Sequence, residues 1–233
     1  MAISTHPTRS YNVAKVAAGF AVYCDGDLVH TPAGVDLVAP TLSLAEALAL
    51  EWGAQGKKIN PSLMPLMQFV ATALDLVPRD RDQIIARTLR YTQTELLCYR
   101  ASYPEELLRR QEALWQPWLN WCASQFGAFL KSGTGVVVID QELSAVSTLA
   151  RAVSAYDDFS LVGLSHAVEM SGSLVLGLAL AHKRLSAAEV HQLAQLDENY
   201  QLEMWGEDPA LRKRQDEILR DLAACERWFS LLT

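Results

Sequence analysis

Several residue groups in this chain come close to a catalytic signature, and where each one fails is informative. Gly172 and Gly177 stand at the spacing of a phosphate-binding loop, but Leu178-Ala179 follow where a lysine and a hydroxyl residue would hold phosphate and magnesium. Gly163-Leu164-Ser165-His166-Ala167 has the outline of a nucleophile elbow ending in alanine. No strand precedes it, and the strand-to-helix turn is what exposes such a serine. Gly133-Thr134-Gly135 precedes a β-branched run instead of following one, the wrong order for a dinucleotide site. The histidines (His6, His30, His166, His182 and His191) include no i, i+4 pair and no HExxH pattern, so no metal site is expected. No catalytic residue and no cofactor are nominated. The small residues Gly163, Ala167, Gly172, Gly177 and Ala181 read as places where a central helix is closely approached by its neighbours.

Two clusters remain. Trp115, Trp118 and Trp121 recur every three residues around Pro117, which puts them on roughly one helical face. Core packing and a partner-facing aromatic row are both open to them. The second cluster is the stretch from Leu196 to Asp208. No Lys or Arg lies between Arg184 and Arg212, while Glu189, Asp197, Glu198, Glu203, Glu207 and Asp208 all do. On a helical wheel Val190, Leu193, Ala194, Tyr200 and Met204 form one apolar stripe. Asp197 and Gln201 fall inside that stripe and need polar partners, for which Arg100 is a candidate. Glu198 and Trp205 fall together on its edge. Asp208 reads as a helix cap, and Glu203 and Glu207 as a solvated face. Acid/base chemistry would need a second, paired carboxylate in a cleft, which nothing here nominates.

The elements that position these residues change character along the chain. Tyr11 to Val16 reads as a strand, and Phe20, Val22 and Cys24 alternate with Ala21 and Tyr23. Asp25-Gly26 then suits a type I′ hairpin turn, because both of its central residues take positive φ. Thr31-Pro32-Ala33-Gly34 is a second turn, and Val35 to Val38 a further short strand. After Pro40 the signals become helical. Ser43–Glu46, Asp80–Gln83 and Ser186–Glu189 are capping boxes. Asn60-Pro61 and Asp208-Pro209 each place a cap before an N1 proline. Pro104 opens a helical tract to about Lys131, with Pro117 as a kink or break. Val136 to Ile139 reads as a short strand with Asp140 capping a helix behind it, and Asp157 or Asp158 opens an apolar helix through Ala181. The fold class is α+β: a small antiparallel β-containing N-terminal domain over 1–95, then an orthogonal multi-helical C-terminal domain over 96–233.

Bulk properties agree. Of 233 residues 50% are hydrophobic and 20% charged, which permits a substantial core. A net charge of -7 argues against a general nucleic-acid binder. Residues 1–100 hold nine basic and nine acidic side chains, whereas 101–233 hold eleven and eighteen and so carry the whole imbalance. Cys24, Cys98, Cys122 and Cys225 are scattered, without a CxxC pair, and read as buried thiols of a reducing compartment. The first ten residues do not read as a signal peptide. Within the apolar stretch from Leu161 to Ala181, the uncharged run from Met170 is too short for a bilayer of roughly 20 apolar residues. A cytoplasmic, monomeric protein without stable membrane insertion is expected.

An ordered set of short motifs runs through the chain. It comprises Tyr11-Asn12-Val13, Asp25-Gly26 with Thr31-Pro32-Ala33, Pro40-Thr41, Leu44-Ala45, Glu51-Trp52, Gln55, Ile59 and Met64-Pro65-Leu66. It continues with Tyr91, Leu97-Cys98-Tyr99-Arg100-Ala101, Pro104, Gln111, Trp115, Pro117, Leu196-Asp197-Glu198, Tyr200-Gln201 and Trp205-Gly206. With these the chain resembles the assembly chaperone family for the alpha subunit of F-type ATP synthase. It departs from the family at Asp27, where a basic residue usually follows the Asp-Gly, and at Ser10-Tyr11, where an aromatic pair is common. The absence of a presequence looks like a bacterial member. The resemblance implies a non-enzymatic binder that holds the free alpha subunit, keeps it from aggregating and releases it to beta. It also implies a two-part fold. Glu198, Gln201, Trp205 and Asp197 are then the expected client-binding residues, with Tyr99, Arg100 and Trp115 in support. The alternative is an intracellular hydrolase or small-ligand enzyme using Asp197, Glu198 and His191.

Overall fold

The structure, a computed structural model, describes residues 9–56, 58–135 and 137–233. The chain divides into two compact units, one ending at Arg79 and including Ser230–Thr233, the other running from Asp80 to Phe229. The sequence reading places this division at residue 95.

The first unit is built on a small antiparallel sheet. Strand β1 (Tyr11–Val16) pairs along its whole length with β2 (Gly19–Cys24), and the other edge of β2 is shared by β3 (Asp27–Leu28) and β4 (Val38–Ala39). Asp25 and Gly26 have φ of 52° and 95°, the positive pair that a type I′ turn demands, so the Asp-Gly hairpin forms as expected. At Gly19 a Cβ would lie 2.3 Å from the Ala39 carbonyl oxygen, so β4 can approach β2 only over a glycine. Helix α1 (Leu42–Gly53) is capped two residues earlier than the expected Ser43. Thr41 has extended backbone angles and accepts from the Leu44 amide, while its hydroxyl donates to the Leu231 carbonyl at 2.5 Å. Asn60 caps only a single 3-10 turn before Pro65 opens α2 (Pro65–Ala71). The buried Glu51 carboxylate accepts from the Leu66 and Met67 amides at 2.9 and 3.0 Å, which ties α1 to the amide-rich start of α2.

Helix α3 (Val77–Leu89) bends at Asp80, whose φ of -124° and ψ of 19° are not helical; the capping box read at Asp80–Gln83 sits at this break. In the second unit α4 (Glu105–Phe126) carries Pro117 without breaking and ends at Gly127 in the left-handed region, short of the expected Lys131. Short strands β5 (Tyr99–Arg100) and β6 (Gly133–Thr134) pair in parallel, so this part is not wholly helical. The strand expected over Val136 to Ile139 does not form over Val137 to Ile139. Val136 lies outside the described residues, and Val137 to Ile139 have no regular structure, with Val137 and Val138 both 75% exposed. A β-branched run without a partner strand has no ladder to join. Helix α5 (Leu143–Ser154) starts from Glu142, not from Asp140.

The apolar helix expected through Ala181 is two helices. Asp157 caps α6 (Asp158–Ser171), as expected. Gly172, at φ 70°, then ends it, and Ser173 caps α7 (Leu174–Ala181). Packing explains the glycines: a Cβ at Gly163 would lie 2.6 Å from the Trp228 ring, and one at Gly177 would lie 2.5 Å from the Val168 side chain. Helix α8 (Ala187–Ala194) opens with the complete Ser186–Glu189 capping box. Helices α9 (Leu196–Trp205) and α10 (Pro209–Leu231) follow. Trp115, Trp228 and a set of leucines from α5, α6 and α7 form the core. Cys98, Cys122 and Cys225 are buried free thiols, whereas Cys24 is half-buried. Among the described residues no helix is long and apolar enough to cross a membrane.

Candidate functional site

The candidate residues on α9 are set by a break in the helical register. At Gln195 the backbone leaves helical geometry (φ -103°, ψ 21°), so α8 and α9 do not share the continuous apolar stripe read from the wheel. The buried side of α9 is Leu196, Tyr200 and Leu202. Met204, placed in the stripe by the wheel, is 58% exposed, and Trp205 is 81% exposed. Glu198, Gln201 and Trp205 fall within about 60° of one another around the helix at 100° per residue. Glu198 is half-buried and Gln201 exposed, and neither makes a hydrogen bond or ion pair among the described residues.

Asp197 points the other way. Its Oδ1 accepts from Gln111 Nε2 at 2.6 Å, and Gln111, fully buried on α4, accepts in turn from the Ala101 amide at 2.7 Å. Burial raises the Asp197 pKa and the Gln111 hydrogen bond opposes the rise. Arg100, the expected partner of Asp197, is engaged elsewhere. It donates to Gln116 Oε1 at 2.6 Å and stands 3.8 Å from Glu112, with its Nε buried and unpartnered. A neutral amide therefore satisfies Asp197 where a cation was anticipated. Trp115 is fully buried and donates from Nε1 to the Leu193 carbonyl at 3.0 Å, locking α4 to the end of α8. Tyr99 donates to the Gln93 carbonyl and accepts from the Ile139 amide. Asp197, Arg100, Trp115 and Tyr99 therefore support the frame, while Glu198, Gln201 and Trp205 face outward together. The tryptophan row is divided likewise: Trp118 and Trp121 are half-buried and meet edge to face, and Trp121 also meets Phe126 and His182.

The field around α9 is less one-sided than the sequence suggests. Arg110 from α4 bridges Glu203 at 2.6 Å and Glu106 at 2.7 Å, with its guanidinium over the Tyr200 ring. Arg212 pairs with Glu207 through two hydrogen bonds, and Asp208 caps α10 through the Ala210 and Leu211 amides. Of the six carboxylates between Arg184 and Arg212, Glu198 is the one without a cation or an amide among the described residues. Arg110 could not be found by inspection of the acidic stretch, because it lies 93 positions away from Glu203. His191 approaches the Gln215 carbonyl at 3.0 Å, and burial lowers its pKa. The three members of the hydrolase alternative, Asp197, Glu198 and His191, thus have separate surroundings. Among the described residues no group of three or more His, Cys, Asp or Glu could hold a metal ion.

Comparison with known proteins gives a consistent result. The model of the ATP12 chaperone protein family matches residues 8–123. The chain is 34% identical to Atp12 from Paracoccus denitrificans, with a TM-score of 0.93 over 96% of both chains. An aspartate-to-lysine mutant of that protein matches equally. The Atu1473 protein of Agrobacterium tumefaciens is 36% identical, with a TM-score of 0.91 over 96% of this chain and 84% of that one. At this identity, over 96% of this chain and at least 84% of each relative, the chain belongs to the ATP12 chaperone family.

Proposed function

We propose that the protein captures the free alpha subunit of F-type ATP synthase in the cytoplasm, keeps it from aggregating and yields it to the beta subunit. It does so as a binder and not an enzyme, without bound metal or nucleotide. The observation that carries this reading is the outward face of α9. Trp205 is largely exposed on the same side of the helix as Glu198, a carboxylate with no hydrogen-bond or ion-pair partner among the described residues. A large aromatic side chain left in solvent beside an uncommitted charge has the elements of a contact surface: an aromatic anchor and a polar neighbour that sets orientation. Glu198, Gln201 and Trp205 would meet the client directly. Asp197, Arg100, Trp115 and Tyr99 would hold α9 in place behind them. The uncommitted carboxylate favours a basic residue on the client.

The test is capture of purified alpha subunit, separately from beta subunit and from assembled enzyme. Retention of free alpha with suppression of its aggregation, and little retention of the assembled enzyme, is the expected result. Equal retention of free alpha and assembled enzyme would defeat the handover.

A further inference from the structure

The sheet of the first unit has an edge that nothing among the described residues covers. β1 lies at the end of the order β1-β2-β3 and pairs only with β2. The register decides which of its backbone groups are free. The Asp25 amide donates to the Ser10 carbonyl, and the Val22 amide and carbonyl are engaged on the far side of β2, by Leu37 and Val29. Hydrogen-bonded pairs alternate along an antiparallel ladder, so Asn12, Ala14 and Val16 bond to β2. The N–H and C=O groups of Tyr11, Val13 and Lys15 therefore point away from the sheet. No hydrogen bond reaches them among the described residues.

Beside this edge runs an open groove of about 860 Å³ between β1 and α1. Its helical wall carries Leu42 and Leu50, exposed by 45% and 70%, on either side of Glu46, with Gly53 keeping the floor low. On the strand side Arg9, Tyr11 and Val13 line it, and Lys15 follows on the same face of β1 beyond the groove. Arg9 and Lys15, at the two ends of that strand face, make no ion pair among the described residues. An exposed edge is normally blunted by several devices, and Lys15 is the one present here.

We infer that the free edge of β1 is a docking site for an extended segment of the captured alpha subunit. That segment adds to the sheet as a further strand. Backbone hydrogen bonds to Tyr11, Val13 and Lys15 hold it, as in other strand-addition complexes, and its side chains supply selectivity. Apolar residues at alternate positions enter the groove against Leu42 and Leu50. Carboxylates near its two ends meet Arg9 and Lys15. This rests on the reading that the protein captures that subunit, but it names a surface distinct from α9.

Hydrogen exchange read by mass spectrometry tests it directly. The Tyr11, Val13 and Lys15 amides should exchange freely in the protein alone and become protected when alpha subunit is bound. Val13→Pro removes one outward donor and leaves the bonds from Asn12 and Ala14 to β2 intact, so it should melt within a few degrees of the wild type while affinity for alpha falls tenfold or more. Leu50→Asp should weaken capture in the same direction. Capture of alpha by the wild type with no gain of protection in β1, or full capture by a folded Val13→Pro, overturns the inference and leaves the chaperone reading standing. No capture by the wild type removes both. Protection of the same amides without alpha, with a dimer by light scattering, would show that a second copy occupies the edge and also overturns it. Should Val13→Pro fail to fold, the exchange measurement on the wild type still decides.

Discussion

Neither Glu95 nor Glu198 has a cation partner among the described residues, and their surroundings treat them in opposite ways. Glu95 has no exposed surface. It accepts from the Ser173 hydroxyl, from the Val175 amide at 3.2 Å and from the Leu97 amide at 3.4 Å, so the open start of α7 stands in for a counter-ion. Even so, desolvation wins: burial pushes its pKa up to about 7 against the pull of those donors. Glu198 keeps part of its hydration, accepts from nothing among the described residues, and leaves its charge to the outside. A carboxylate that the fold has satisfied is a structural part. One that the fold has left unsatisfied at low cost is available to a partner.

The contrast can be broken in four ways, taken from the largest expected effect to the smallest. Glu95→Leu strands the Ser173 hydroxyl and two amides in the interior, at about 1–3 kcal/mol for each unsatisfied group, partly offset by the removed desolvation. A net loss of about 3 kcal/mol in urea unfolding is expected, and a loss below about 1 kcal/mol would mean that the network is dispensable. Second, the raised pKa of Glu95 fixes the sign of its pH dependence. Between the unfolded value of 4.5 and the folded value of about 7 the folded chain holds the proton more tightly. Its contribution is therefore fully present below the lower value and is lost as pH rises through the upper one. The melting temperature of the wild type should fall relative to Glu95→Gln between about pH 5 and about pH 8; parallel curves for the two proteins would refute this. Third, Glu198→Lys should leave unfolding free energy within about 0.5 kcal/mol of wild type, because no internal partner is lost. Capture of alpha subunit should nevertheless fall tenfold or more by like-charge repulsion. A large stability loss, or full capture by a stable variant, would remove Glu198 from the client surface. Last, Trp205→Ala should be neutral for stability and weaken capture severalfold, about 1 kcal/mol of contact; binding isotherms on the same preparations would show whether the ring takes part.

What could be read without coordinates was what is encoded locally. The Asp25-Gly26 turn, the Asp157 cap, the Ser186–Glu189 box and the Pro209 start each depend on a few neighbouring residues, and each forms. Features that need a distant partner were illegible or misread. Gln111 meets Asp197 from 86 positions away, so nothing near Asp197 in sequence signals a neutral amide as its partner. β5 and β6 are two residues each and exist only because they find one another. Gly172-Ser173 looks like two more small residues on a packed helix until the left-handed turn is seen. On α9 the grouping of Glu198 with Trp205 depends on a seven-residue spacing and was legible, while the exposure of Met204 depended on the break at Gln195 and was not. Glu95 gave no signal, since a lone glutamate before an apolar run looks solvated.

The bond from Thr41 to the Leu231 carbonyl has a consequence in time. The first unit is made early by the ribosome, yet Ser230–Thr233 belong to it and are made roughly 150 residues after Arg79. At about 5–20 residues per second, the sheet and α1 wait on the order of 10–30 s for the segment that completes them. During that interval the second unit is being synthesised and can fold as a contiguous piece. The unit that emerges first is thus the last to be finished, and a change at the far end of the chain would be felt at its beginning.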